Sequence, residues 1–198
     1  MFTGIIKSIG NVIDKKELSG DLRFTVKTHF ENPENIQLGD SIAMDGVCLT
    51  VTEKLQDQVV LDVSVETVNK TTVGQWQIGS QLNLEPAMTL QDQLGGHIVS
   101  GHVDAIGHCL SRVASARSEI FEFEIPHELS RFVVTKGSVT INGVSLTVNT
   151  IEANRLSVNL VPHTMEHTNL GLLQPNDAVN IEVDTIARYV EKMLRPHI

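Results

Sequence analysis

The chain is expected to be all-β: two tandem, internally duplicated six-stranded antiparallel β-barrels followed by a C-terminal helix. Three features predict this. The sequence repeats itself, each repeat is a series of short alternating segments, and only the final stretch has helical spacing. Shifting the sequence by 97 residues aligns its halves without a gap. Asp45-Gly46-Val47-Cys48-Leu49-Thr50-Val51 then falls on Asn142-Gly143-Val144-Ser145-Leu146-Thr147-Val148. Gly4, Ile9 and Gly10 fall on Gly101, Ile106 and Gly107, and Thr67, Thr71 and Gly74 on Thr164, Thr168 and Gly171. Asn83 and Glu85 fall on Asn180 and Glu182. One register held over this length marks a duplicated module. The glycine pair Gly95-Gly96 marks the joint, so residues 1–97 read as the first barrel and 98–184 as the second.

Asp-Gly and Asn-Gly are the preferred dipeptides of a type I′ hairpin turn, whose two central residues need positive φ. They join strands predicted at 41–44 and 47–53 in the first copy, and their equivalents in the second. Further strands are predicted at 5–12, 22–28, 59–65 and 82–85, with brief helical turns at 67–71 and 164–168. Six short antiparallel strands in so short a module must cover their edges, and closure into a barrel does so. Residues 185–198 have no counterpart in the first half. Ile186, Tyr189, Val190, Met193 and Leu194 recur there at helical spacing, opposite Arg188, Glu191 and Lys192. A helix packed on its own domain and an oligomerisation helix both fit that pattern.

Composition narrows the function. The net charge of −9, from 15 Lys+Arg against 24 Asp+Glu, opposes phosphate backbones, and the longest basic cluster is Lys15-Lys16. One Trp, one Tyr and six Phe offer little base-stacking surface. Nucleic acid is therefore not an expected partner. No run approaches the ~18 apolar residues of a membrane span, and the first residues lack the features of a signal peptide, so the expected compartment is the cytoplasm. Cys48 and Cys109 are too few for a disulfide scaffold and lack metal-ligand spacing; no metal is expected.

Chemistry-bearing residues appear at equivalent places in the two copies. After each hairpin turn the strand alternates strictly, so Val47, Leu49 and Val51 fill one barrel and Val144, Leu146 and Val148 the other. Cys48 and Thr50, and likewise Ser145 and Thr147, then lie on the outer wall. A ligand-binding wall and an ordinary exposed strand both fit this pattern. Ser100-Gly101-His102-Val103 aligns with Thr3-Gly4-Ile5-Ile6, placing a histidine beside a glycine where a backbone can approach a ligand. The segment from Asp62 to Thr67 pairs with that from Asn159 to Thr164, setting Glu66 against His163, while Asp184 has Ala87 as its counterpart.

With these residues in place, the sequence resembles the riboflavin synthase family. The likeness rests on Met1-Phe2-Thr3-Gly4-Ile5, the two Asp/Asn-Gly-Val-Cys/Ser-Leu-Thr-Val hairpins, Gly95-Gly96-His97-Ile98-Val99-Ser100-Gly101-His102, and Val161-Pro162-His163-Thr164. It runs essentially end to end. It implies tandem lumazine-binding barrels, a homotrimer assembled through the helix at 185–198, and no metal or organic cofactor. The implied reaction is dismutation of two 6,7-dimethyl-8-ribityllumazine molecules, one donating four carbons, to riboflavin and 5-amino-6-ribitylaminouracil. Active sites would lie between subunits, and association with lumazine synthase stays open.

The resemblance also implies the site residues. The first barrel would contribute Cys48, Leu49, Thr50, Asp62, Val63, Ser64, Val65, Glu66 and Thr67, with Gly101, His102 and Val103 crossing over from the second module. The second would contribute Ser145, Leu146, Thr147, Asn159, Leu160, Val161, Pro162, His163 and Thr164, with Gly4, Ile5 and Ile6 crossing over from the first. Lys136 would reach a ligand on the neighbouring subunit. The expected catalytic set is His102 for proton transfer, Ser145 and Thr147 for anion stabilisation, Cys48 or water as nucleophile, and Asp184 to orient or deprotonate a neighbour. The alternative is a non-catalytic lumazine- or flavin-binding optical protein; the intact Ser100-Gly101-His102 segment and both intact hairpins favour the enzyme.

Overall fold

The computed structural model describes residues 1–194. It contains two closed six-stranded antiparallel barrels and a C-terminal helix. The first barrel is built from β1 (Ser8–Leu18), β2 (Asp21–Lys27), β3 (Ser41–Met44), β4 (Val47–Leu55), β5 (Gln58–Val63) and β6 (Gln81–Pro86), ordered β1-β2-β5-β4-β3-β6. The second is built from β7 (Ala105–Ser115), β8 (Ser118–Glu124), β9 (Ser138–Ile141), β10 (Val144–Glu152), β11 (Arg155–Leu160) and β12 (Ala178–Val183) in the equivalent order. Short helices α1 (Val65–Lys70) and α2 (Pro162–His167) precede the closing strands, and α3 (Thr185–Leu194) follows.

Each copy bends at matching places. The register shifts between Val12 and Asp14 and between Val51 and Glu53 recur between Cys109 and Ser111 and between Val148 and Thr150. An extra residue in one strand raises local twist, which lets a small sheet curl closed. The inward residues form two separate cores, one around Phe24, Ile42, Met44 and Leu61, the other around Phe121, Phe123, Ile141 and Leu156.

The two hairpin turns, Asp45-Gly46 and Asn142-Gly143, have positive φ at both central residues as the dipeptides predict. They meet back to back: a Cβ on Gly46 would stand 2.8 Å from the Gly143 nitrogen, so only glycine fits. Around them the Asn83 side chain donates to the Asn142 carbonyl (2.9 Å), and the Asn180 side chain donates to the Asp45 carbonyl (2.9 Å). This buried, quasi-twofold network joins the barrels.

Several boundaries differ from the sequence reading, and the first strand runs on to Leu18, past the expected end at residue 12. The first strand begins at Ser8 rather than residue 5, because residues 3–6 leave their own sheet and run to the other barrel. β5 ends at Val63 rather than 65, because Ser64 turns to cap α1, its hydroxyl accepting from the Thr67 amide. The helical turns open at Val65 and Pro162, before residues 67 and 164. The C-terminal helix runs to Leu194, and the part of its expected span at 195–198 lies outside the described residues. No helix among the described residues is long and apolar enough to cross a membrane.

Candidate functional site

The outer walls form at the start of β4 and β10. Alternation buries Val47, Leu49 and Val51 in one core and Val144, Leu146 and Val148 in the other. It leaves Cys48 and Ser145 half-buried, with Thr50 and Thr147 exposed beside them. Each wall is completed by a segment of the opposite module. The Cys48 amide donates to the Gly101 carbonyl (2.9 Å), and the Ser145 amide donates to the Gly4 carbonyl (2.8 Å). Both glycines have positive φ, and a Cβ there would stand 2.6 Å from the Cys48 Cβ or 2.5 Å from that of Ser145. Val103 packs on the first barrel's core and Ile6 on the second's.

Two carboxylates hold these crossing arms. Glu85 on β6 accepts from the Thr3 amide, the Thr3 hydroxyl and the Gly4 amide at 2.7, 2.7 and 2.9 Å. Glu182 on β12 accepts from the Ser100 amide, the Ser100 hydroxyl and the Gly101 amide at 2.6, 2.8 and 2.9 Å. Burial pushes both carboxyls above the usual carboxylate range, opposed by these donors. Sequence reasoning aligned the two glutamates without assigning them a role. The available signal was a charged residue recurring at the same place in a strand of otherwise apolar alternation.

The two walls are chemically unlike. Behind Ser145 lies His97, only 9% exposed, with Nδ1 2.7 Å from the Ser145 hydroxyl and Nε2 3.2 Å from that of Thr140. Burial lowers the His97 pKa, opposed by the negative charge of Asp184. The ring is therefore neutral at pH 7, with one nitrogen donating and the other accepting between two hydroxyls. In the first copy Ala43 and Ala87 replace Thr140 and Asp184, and Cys48 backs onto an apolar cluster of Phe2, Ala43 and Val99. Sequence reasoning missed His97 as a site residue. Its signal was weak, since it lies in the linker, outside the alignment of the two copies.

The structure divides the expected catalytic set. His102 follows Gly101 on the Cys48 side and is exposed, its amide donating to the Ser100 hydroxyl (3.2 Å). Ser145 and Thr147 belong to the other wall, and Asp184 caps α3 through the Ile186 amide (2.9 Å) while its charge acts on His97. Leu49, Val63, Leu146 and Leu160 turn into the cores and can meet a ligand only through backbone. Asp62 is held by Arg23 in a two-bonded ion pair (2.6 and 2.8 Å), which keeps its carboxyl below the usual range. Ser64, Val65 and Glu66 are exposed around the start of α1, with Thr67 half-buried. Asn159, Val161 and His163 are exposed around α2, with Pro162 and Thr164 half-buried, and the His163 ring stacks on His167. Ile5 is exposed at the rim, and Lys136 is exposed in the turn before β9.

A cleft of about 740 Å³ lies beside Thr3, Ser41, Glu85 and Ala87, but it includes neither wall's Cys48, Thr50, Ser145 or Thr147. The repeated wall with its crossing arm carries the better functional case, because its geometry occurs twice.

Comparison with known proteins agrees with this duplication. A family model for the lumazine binding domain matches residues 3–87 and again 100–184. A riboflavin synthase of Photobacterium leiognathi is 41% identical over 195 residues, covering 98% of this chain and 89% of that protein. One of Mycobacterium bovis is 43% identical over 199 residues, 98% of each. One of Bacillus subtilis is 36% identical over 194 residues, 98% of this chain and 90% of that one. Among solved structures, LumP complexed with riboflavin superposes with a TM-score of 0.86 at 23% identity, covering 92% of this chain and 99% of that one; the likeness is one of fold.

Proposed function

The chain belongs to the riboflavin synthase family, and on that premise we propose that it converts two molecules of 6,7-dimethyl-8-ribityllumazine to riboflavin and 5-amino-6-ribitylaminouracil. The observation that carries this reading is the duplicated wall, each copy completed by an arm of the other module. A reaction between two copies of one molecule needs two similar seats that can be brought face to face. The four-carbon transfer conserves atoms and oxidation level across the pair, so the scheme needs no external oxidant or reductant.

Each lumazine ring lies against one outer wall. One loses a proton from its 7-methyl group, and hydroxyl and amide donors around the ring stabilise the delocalised anion. Ser145 and Thr147 supply such hydroxyls, with His97 fixing the Ser145 hydroxyl from behind. The other ring is made electrophilic by addition at C7, of the Cys48 thiolate or of water. His102, on the Cys48 side, transfers the proton, and Asp184 orients the second wall. In this reading the first wall of one subunit faces the second wall of a neighbour in a cytoplasmic homotrimer, with Lys136 reaching across. The helix α3 supplies the contact: its Tyr189 and Met193 are 68% and 80% exposed, while Arg188–Asp104 and Arg131–Glu191 ion pairs tie it to its own barrel.

Incubation with 6,7-dimethyl-8-ribityllumazine alone, in chelator, is expected to yield one riboflavin and one 5-amino-6-ribitylaminouracil per two molecules consumed. Tight binding without product would make the chain an optical protein and remove the catalytic roles. Tyr189→Glu is expected to dissociate the trimer to monomers in analytical ultracentrifugation, with turnover falling at least tenfold. A monomeric variant retaining full turnover would refute the shared site.

A further inference from the structure

The closing strands β6 and β12 each carry one nearly inaccessible glutamate, Glu85 at 2% and Glu182 at 3% exposure. A buried carboxylate is costly unless its oxygens are well supplied with donors. Here each has three, and all come from two consecutive residues of the crossing arm: Thr3-Gly4 for Glu85 and Ser100-Gly101 for Glu182. Both oxygens act as acceptors. One binds the amide and hydroxyl of the first residue, the other the glycine amide. A glutamine cannot reproduce this, because whichever way its amide is turned, an NH₂ faces an N–H.

The same glycine then leaves its own barrel. The Gly4 carbonyl accepts from the Ser145 amide, and the Gly101 carbonyl from the Cys48 amide. We infer that Glu85 and Glu182 are positioning residues, each fixing from its own barrel the arm that completes the ligand-binding wall of the other barrel. Glu182 thereby sets the Cys48 wall, together with the His102 that follows Gly101, and Glu85 sets the Ser145 wall. The control is crosswise. A defect on β12 appears at the first barrel's seat, and a defect on β6 at the second's.

The inference rests on the reading of the two walls as lumazine seats, and the experiment separates the two. Equilibrium dialysis with riboflavin, the proposed product, which has no co-substrate to react with when supplied alone, is expected to give two molecules per chain for the natural protein; if it gives none, the reading of the walls falls and this inference with it. Glu182→Gln and Glu85→Gln are each expected to retain one seat and weaken the other by roughly tenfold or more, the scale of a lost hydrogen bond to a charged group. The seats are told apart with Thr50→Trp and Thr147→Trp, bulky changes at exposed wall positions. Glu182→Gln with Thr50→Trp should keep one seat of natural affinity, and Glu182→Gln with Thr147→Trp only the weakened one, with the reverse pattern for Glu85→Gln. General destabilisation would weaken both seats alike and would not follow that cross. If a glutamine variant fails to fold, Ser100→Ala and Thr3→Ala remove one donor each and should weaken the same seats selectively. Two seats of unchanged affinity, or loss at the same barrel as the mutation, overturns the inference.

Discussion

Gly101→Ala is expected to abolish turnover and to destabilise the chain by about 2–5 kcal/mol, with Gly4→Ala behaving alike. Two effects combine. Positive φ at a non-glycine residue costs on the order of 1–2 kcal/mol. The new methyl group would also stand 2.6 Å from the Cys48 Cβ and 2.8 Å from the Phe2 ring. Forcing an extra carbon into a packed site costs about 1–3 kcal/mol more. Relief can come only by moving the arm off Cys48, which breaks the wall. Gly39 and Gly79 serve as controls, having positive φ but nothing within 4 Å of an added Cβ. Their alanine variants should lose only the conformational part in urea unfolding and keep turnover. Equal losses at all four positions would show that the close approach to Cys48 and Ser145 has no special role.

These close approaches explain how far the sequence could be read. The repeat exposed the barrels, because a duplicated core must keep the same inward residues: Ile42 and Val139, Leu49 and Leu146, Leu61 and Val158 occupy matching places. It exposed the walls for the same reason, since the residues between the inward ones must face out. The crossing of Gly4 and Gly101 came only with the family resemblance. Periodicity reports which face of a strand is buried, and a segment that leaves its sheet has no face to report; hence the first strand was placed three residues early. His97 was hidden differently. It lies in the linker between modules, outside the aligned repeat, and its partners Ser145 and Thr140 are distant in sequence. The glutamates were visible as a repeated oddity, but only the fold shows that their oxygens point at the arms.

The junction between the barrels carries the last asymmetry and a second large expected effect. Its two turns differ by one charge, Asp45 in the first and Asn142 in the second. Asn142 Oδ1 accepts from the Asn180 amide (2.8 Å), and Asp45 Oδ1 accepts from the Asn83 amide (2.8 Å). Asp45 also accepts from the side chain of Asn169, where the other copy has Thr72. No ion pair reaches Asp45 among the described residues, and burial pushes its carboxyl up to about 7 from 3.8, against those two donors. The folded chain thus holds a proton that the unfolded chain releases near pH 4. Folded protein binds more protons between those values, so stability falls as pH rises from about 4 to 7, and the full penalty remains above that. A span of that size is worth roughly 4 kcal/mol. Asp45→Asn removes the titration and gives the first turn the side chain already present in the second. Melting temperature is expected to rise by roughly 10 °C at pH 8, by about 4 °C at pH 5 and little below pH 4. Other shifted groups, Glu85, Glu182, His97 and Asp62 among them, titrate in both proteins and drop out of the difference. A pH-independent difference between the two melting curves would mean that Asp45 is ionised in the fold throughout, held by its asparagine donors alone.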